Sequence, residues 1–330
     1  MFKTYILRPS VVLFALFALF GLAVAVLAAM IARPLLAPPP LESILKGARA
    51  VDASDAPALS YFVARDGTQL GFRVYEPAGE VSGPAAILIH GSAGGSLAMH
   101  LVGKALSAAG VRAIAPDLRG HGVSGTRGDI AYIGQSEDDL ADLLDHLKFA
   151  QKPALVGFSS GGGFAARIAH APLGEKFSRF TLVSPFLGID APTARPSTGG
   201  ARWTSVDTPR IVALTILHRL GIECCEQLPV LAFALPHESR RFVTTRYSFR
   251  LLSSFGPKDM RYRDLSGIEA PIEIVAGADD ELMVAGRYAD VAQTGARARV
   301  TIVPGVDHMG ATRDPAALAA IVAATKGEGK

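Results

Sequence analysis

Gly157-Phe158-Ser159-Ser160-Gly161 sets a serine between two glycines, directly after the short apolar run Ala154–Phe158. That is the G-x-S-x-G pattern of a nucleophile presented on a sharp strand-to-helix turn, where the glycines allow the backbone to pass closely. A serine hydroxyl attacks poorly until a base takes its proton, and a base working near neutrality is most often histidine. Of the eight histidines, His308 stands apart. It lies in Pro304-Gly305-Val306-Asp307-His308-Met309-Gly310, between the apolar run Arg299–Val303 and the last helical pattern. A third group must orient such an imidazole and stabilise its cation. Asp279, Asp280 and Glu281 follow the apolar run Pro271–Gly277, between Ser159 and His308 in the chain. Spacing alone does not choose among them. The chemistry these residues suit is covalent attack by a serine oxygen on a carbonyl carbon.

Such side chains need elements that carry them to one place. The chain predicts buried strands over Ala85–His90, Val111–Pro116, Ala154–Phe158, Phe180–Ser184, Pro271–Gly277 and Arg299–Val303. Between them fall helical patterns over Leu97–Ala109, Glu137–Phe149, Gly161–His170, Gly286–Gln293 and Pro315–Ala324. Alternation of this kind builds a mostly parallel sheet covered by helices on both faces, an α/β fold. Ligands of open α/β sheets bind beyond the carboxyl ends of the strands, where Ser159, the acids and His308 all fall. Leu59–Arg65 and Gln69–Tyr75, joined through Asp66-Gly67, read as a hairpin ahead of this body. Phe186–Arg263 is too long for an ordinary crossover and reads as an inserted cap with helical patches such as Ile211–Leu220.

From about Leu59 to Ala324 the chain resembles the α/β-hydrolase fold superfamily. Within it, the chain is most similar to the capped lysophospholipase, monoacylglycerol-lipase and serine-aminopeptidase-like group. The matching residues are His90-Gly91-Ser92, Asp117-Leu118-Arg119-Gly120-His121-Gly122-Val123-Ser124, the turn at Ser159, the Gly277–Asp280 loop and the Gly305–His308 loop. The resemblance implies a Ser159–Asp280–His308 triad, because the acid commonly stands three places after the strand-end glycine; Asp279 is second choice. It also implies that the inserted residues form a helical lid. Two backbone N–H groups should hold the oxyanion, that of Ser160 and that of Ser92, with Ala93 the alternative if the loop turns later. His90, Asp117, Arg119 and His121 read as braces of their loops. No zinc spacing such as H-E-x-x-H and no P-loop lysine occurs, so neither a cofactor nor a metal is expected.

Composition separates the ends of the chain. Half the residues are hydrophobic (49%) and 19% are charged, which excludes a disordered chain. Residues 1–33 hold Lys3, Arg8 and Arg33 and no acid, so the net charge of +3 resides there and residues 34–330 balance to zero. A neutral body without a basic stripe speaks against nucleic acid as a partner. Val11–Ala32 is uncharged, and as a helix it spans roughly 33 Å, enough for a hydrocarbon core of about 30 Å. The expected organisation is therefore a membrane anchor over 1–33 and a Pro-rich spacer over 34–58 leading away from the membrane. A hydrolase core over 59–185 and 264–330 and a cap over 186–263 follow. Lys3 and Arg8 place the N-terminus in the cytoplasm and the catalytic body outside it. The competing reading of Val11–Ala32 is a cleaved signal, giving a secreted or periplasmic enzyme. Cys224 and Cys225 are adjacent and read as small packing residues of the cap.

The expected activity is hydrolysis of carboxylic esters with an apolar acyl chain, lysophospholipids or monoacylglycerols among them. Cap aromatics Phe186, Trp203, Phe233, Phe242, Tyr247 and Phe249 would line the acyl pocket. An aminopeptidase-like enzyme is the nearest rival, with Glu223, Glu226 or Glu238 holding the substrate amine. Acyl transfer on the same triad and a non-catalytic binding protein are the remaining alternatives.

Overall fold

The computed structural model describes residues 9–79, 85–195, 202–241, 243–256 and 264–328. Two helices come first, α1 (Pro9–Ile31) and α2 (Glu42–Arg49). The main body then runs β1 (Ser60–Val63), β2 (Gln69–Tyr75), β3 (Ala86–Ile89), α3 (His100–Ala108), β4 (Ala113–Pro116), α4 (Gln135–Leu147), β5 (Ala154–Phe158), α5 (Ser160–His170) and β6 (Arg179–Val183). An insertion follows: β7 (Thr204–Val206), α6 (Thr208–Arg219), β8 (Pro229–Phe233), β9 (Arg246–Ser248) and α7 (Phe249–Phe255). The chain returns to the main sheet with β10 (Ile272–Gly277), α8 (Tyr288–Ala292), β11 (Ala298–Val303) and α9 (Pro315–Lys326).

Among the described residues the main sheet has eight strands in the order β1-β2-β4-β3-β5-β6-β10-β11. β1 pairs antiparallel with β2, β2 pairs antiparallel with β4, and the remaining pairs are parallel. β3, β4 and β5 are buried along their whole length. That is why they read as continuous apolar runs and not as alternation. Two clusters fill the two faces, one with Leu155, Phe164, Phe180 and Tyr288, the other with Leu88, Val102, Val156 and Ile321. Local signals close the helices. Asp314 caps α9 by accepting the Ala316 and Ala317 N–H groups, Pro315 opens it, and Gly327 ends it with φ 82°.

One expectation changes. The insertion is not purely helical, because β7, β8 and β9 form an antiparallel three-stranded sheet beside α6 and α7. Strands of three to five residues carry too few positions for a periodic signal, and their pairing partners lie far apart in sequence. The Pro-rich stretch after α1 lies against the body. Leu41 N–H donates to the Ala234 carbonyl at 3.0 Å, and Arg210 donates to the carbonyls of Ile31 (2.9 Å) and Arg33. Arg246 reaches the Leu35 carbonyl at 3.4 Å. Helix α2 continues this strap, with Leu41 and Ile44 packed on Ala234, Trp203, Leu282 and Met309.

α1 is long and apolar enough to cross a membrane by length and composition. It is exposed over nearly all its length, unlike a core helix.

Candidate active site

β5 delivers Ser159 to a sharp turn. Its backbone stands at φ 53°, ψ −118°, a strained conformation for a residue with a side chain, and α5 begins at the next residue. The flanking glycines are required by close approach. A Cβ on Gly157 would lie 2.2 Å from the Gly161 carbonyl oxygen, and one on Gly161 would lie 2.4 Å from that of His90. The strained turn is fixed by hydrogen bonds: Ser159 N–H donates to the Val183 carbonyl at 2.9 Å, and the Ser159 carbonyl accepts from Phe186 and Gly163.

β10 and β11 deliver the other two groups from neighbouring parallel strands. His308 Nε2 lies 3.0 Å from Ser159 Oγ, and His308 Nδ1 lies 2.8 Å from Asp280 Oδ2. Asp280 is fully buried, whereas Asp279 points to solvent, so the structure brings Asp280 and not Asp279 to the imidazole. Asp280 Oδ1 accepts the Leu282 and Met283 N–H groups at 2.9 and 2.8 Å. Burial pushes this carboxyl up, but the His308 imidazole and those two N–H donors together outweigh it, and the group lies below the ordinary carboxylate range. An ionised Asp280 only accepts, so Nδ1 carries the proton and Nε2 is free to accept from the serine hydroxyl. The Phe158 ring lies against the imidazole at 5.0 Å between centroids.

The sequence reading missed Glu281. Its Oε2 accepts the backbone N–H of His308 at 2.9 Å. Only its place in the acid run hinted at it, and nothing in that run says which carboxylate faces the histidine loop.

The loop after β3 carries Ser92 and Ala93. Ala93, at φ 64°, gives its N–H to the Tyr247 hydroxyl at 3.1 Å, so that donor is already used. Ser92 engages through its side chain, whose Oγ accepts from Trp203 Nε1 at 3.0 Å. Ser160 is the first residue of α5, so its N–H has no helical carbonyl a turn behind it. His90 Nε2 accepts the Leu118 N–H at 3.2 Å, and its Nδ1–H donates to the Gly91 carbonyl at 2.8 Å. His121 Nε2 meets the Tyr247 hydroxyl at 2.6 Å. Asp117 accepts from Ser96 and Val123 N–H, and Arg119 pairs with Asp139 and Asp66. These four residues hold loops.

The aromatic residues of the insertion divide differently from expectation. Tyr247 staples the loop after β3 through its hydroxyl, and Trp203 does so through its indole. Phe233 packs on both at 4.8 and 5.3 Å, and Phe249 belongs to the insertion's own core with Leu214 and Val230. Phe242 lies outside the described residues. Glu226 is buried but held by His218 at 2.6 Å, while Glu223 and Glu238 are exposed. Cys224 and Cys225 are free thiols. No cluster of three or more His, Cys, Asp or Glu able to hold a metal occurs among the described residues.

A parallel sheet with a serine at a strained strand-to-helix turn, and an acid and a histidine from the next strands, is the architecture of α/β hydrolases. The chain belongs to the alpha/beta hydrolase family, whose model matches residues 86–321. Among solved structures, it is similar to a soluble variant of monoglyceride lipase from Saccharomyces cerevisiae, with 17% identity and a TM-score of 0.60 over 83% of this chain and 94% of that one. It is likewise similar to the monoacylglycerol lipase of Paleococcus ferrophilus (20% identity, TM-score 0.56, 77% and 99% covered). A third likeness is the enol-lactonase of Burkholderia xenovorans (21% identity, TM-score 0.56, 80% and 98% covered). At such identities the likeness is one of fold.

Proposed function

We propose that this hydrolase is a serine esterase that works through an acyl-enzyme on Ser159. The observation that carries the reading is the unbroken relay from Asp280 through His308 to Ser159, at 2.8 and 3.0 Å. His308 Nε2 takes the Ser159 proton as Oγ attacks the ester carbonyl carbon. The carbonyl oxygen becomes an anion facing the N–H groups of Ser92 and Ser160. When the C–O bond breaks, His308 returns the proton to the departing alcohol. Water then attacks the acyl carbon as His308 takes its proton; the acyl–Oγ bond breaks, His308 passes that proton to Ser159 Oγ, and the acid leaves. Asp280 stays ionised throughout and steadies the imidazolium.

The substrate class is a carboxylic ester with an apolar acyl chain, lysophospholipids and monoacylglycerols included. Similarity in fold to two monoglyceride lipases favours it. Residues 186–263 act as a cap over the site, since Tyr247 and Trp203 reach down to the loop after β3. α1 anchors the enzyme in a membrane with the N-terminus cytoplasmic and the hydrolase body outside. A fluorophosphonate probe tests the core of this reading. Labelling of the intact protein that is lost in Ser159→Ala supports it, and labelling that persists in the variant refutes it. p-Nitrophenyl esters of increasing chain length, compared with aminoacyl amides, test the substrate class. Faster amide cleavage refutes the ester assignment.

A further inference from the structure

We propose that the outer face of α6 is a membrane-docking surface, seated in the headgroup boundary of an anionic bilayer; the proposal rests on α1 being a membrane anchor. Helix α6 has two unlike sides. Ala213 and Leu214 are buried, and Leu214 packs with Val230 and Phe249. Val212, Ile216 and Leu220, the last just past the helix end, stand 45%, 42% and 67% exposed, four residues apart and therefore in one row turned away from Leu214. Ile222, just after it in the chain, and Leu36, just after α1, are further exposed apolar side chains. Singly these would need no explanation, but a continuous row does.

The place of α1 says what covers the row. Ile31, the last residue of α1, packs on the same cluster as the inner face of α6. Arg210, on α6, holds the carbonyls of Ile31 and Arg33, and Arg246 holds that of Leu35. No free tether therefore separates the end of the apolar helix from α6. Where α1 leaves the hydrocarbon, α6 is at hand. Leu27 and Met30, in the last turns of α1, are its other partly covered side chains, and residues 10–26, 28 and 29 are left bare for lipid.

Charge points the same way. Residues 186–263 carry eleven Lys and Arg against six Asp and Glu, a net +5. Residues 34–330 as a whole are neutral, so the rest of that body outside the insertion is net −5. Arg202, Arg219, Arg240 and Arg241 are exposed on the insertion. A helix with an apolar row, an exposed arginine at its end (Arg219) and a basic surrounding segment suits the plane of a membrane surface, where anionic headgroups draw in the basic side. The neutral balance of the main body thus conceals a polar molecule whose basic part is the part joined to the anchor.

The test uses the full chain reconstituted in phosphatidylcholine vesicles containing phosphatidylglycerol. In a Cys224→Ser, Cys225→Ser background, Leu220→Cys carries a nitrobenzoxadiazole probe, with Val212→Cys as a second site and Ile302→Cys, on the edge strand β11, as control. Docking predicts blue-shifted emission and quenching by lipids spin-labelled high on the acyl chain at Leu220 and Val212, and neither at Ile302. Arg219→Gln should lower the docked-to-undocked ratio about fivefold, and salt should lower it further. If carbonate-washed vesicles retain the protein while both α6 probes report water, α1 is an anchor and the docking proposal is refuted. If the carbonate wash removes the protein, the anchor reading fails and docking with it. If the α6 probes are shielded without lipid quenching, and energy transfer between copies rises with protein density, a second copy covers the row and the proposal is overturned.

Discussion

Glu281 Oε2 accepts the backbone N–H of His308 at 2.9 Å, so one loop holds the same histidine at two points. Asp280 grips the ring and its neighbour grips the main chain. Glu281→Ala should lower kcat about tenfold, the cost of about one hydrogen bond to a charged acceptor, with KM little changed. Glu281→Gln keeps an acceptor oxygen and should restore most of the rate. Steady-state kinetics of the two variants checks this.

Asp279 and Asp280 are adjacent but should respond in opposite ways. Asp280→Asn replaces the acceptor of the Nδ1 proton by an amide and favours the wrong tautomer, for a loss in kcat of roughly four orders of magnitude. Asp279→Asn alters an exposed side chain and should leave kcat within about twofold. Parallel ester kinetics decides between them.

Tyr247 links the insertion to the loop after β3, its oxygen accepting the Ala93 N–H and its hydroxyl facing His121 Nε2. Tyr247→Phe strands a buried donor and a buried acceptor. Unfolding free energy should fall by about 1–3 kcal/mol, and kcat should fall with it as the loop loosens. Thermal melting and kinetics of the variant provide the check.

Gly47 of the strap faces the histidine loop. A Cβ there would lie 2.4 Å from Met309 Cβ, next to His308, so one of the two segments must shift. Gly47→Ala should destabilise by about 1–3 kcal/mol and reduce kcat through displacement of Met309. Gly21→Ala, on the open surface of α1, should do neither.

Acid lability follows from two buried histidines. Burial lowers His90 below its ordinary 6.5, and burial together with neighbouring His90 lowers His121 well below it. The unfolded chain takes up these protons and the folded one refuses them. Stability is therefore full above pH 6.5 and declines as pH falls below it, by at most about 1.4 kcal/mol per pH unit for each histidine. Chemical denaturation at stepped pH should show this slope, and His121→Gln should make it shallower.

Read from the sequence alone, the α/β order of the main body was plain, because strands buried on both faces write themselves as short apolar runs. Ser159 and His308 were legible for a related reason, since both sit at strand ends marked by glycine. The choice of Asp280 needed the resemblance to known hydrolases, because three acids in a row carry no local mark of direction. Burial separated them: Asp280 lies buried against the imidazole and Asp279 lies in water. The small sheet of the insertion, the staple by Tyr247 and the folding back of residues 32–45 were decided only by tertiary structure. Each depends on partners far apart in the chain, Tyr247 with Ala93 and Leu41 with Ala234 among them. Local composition determines which segments must be buried; which buried segments meet is settled only when the whole chain packs at once.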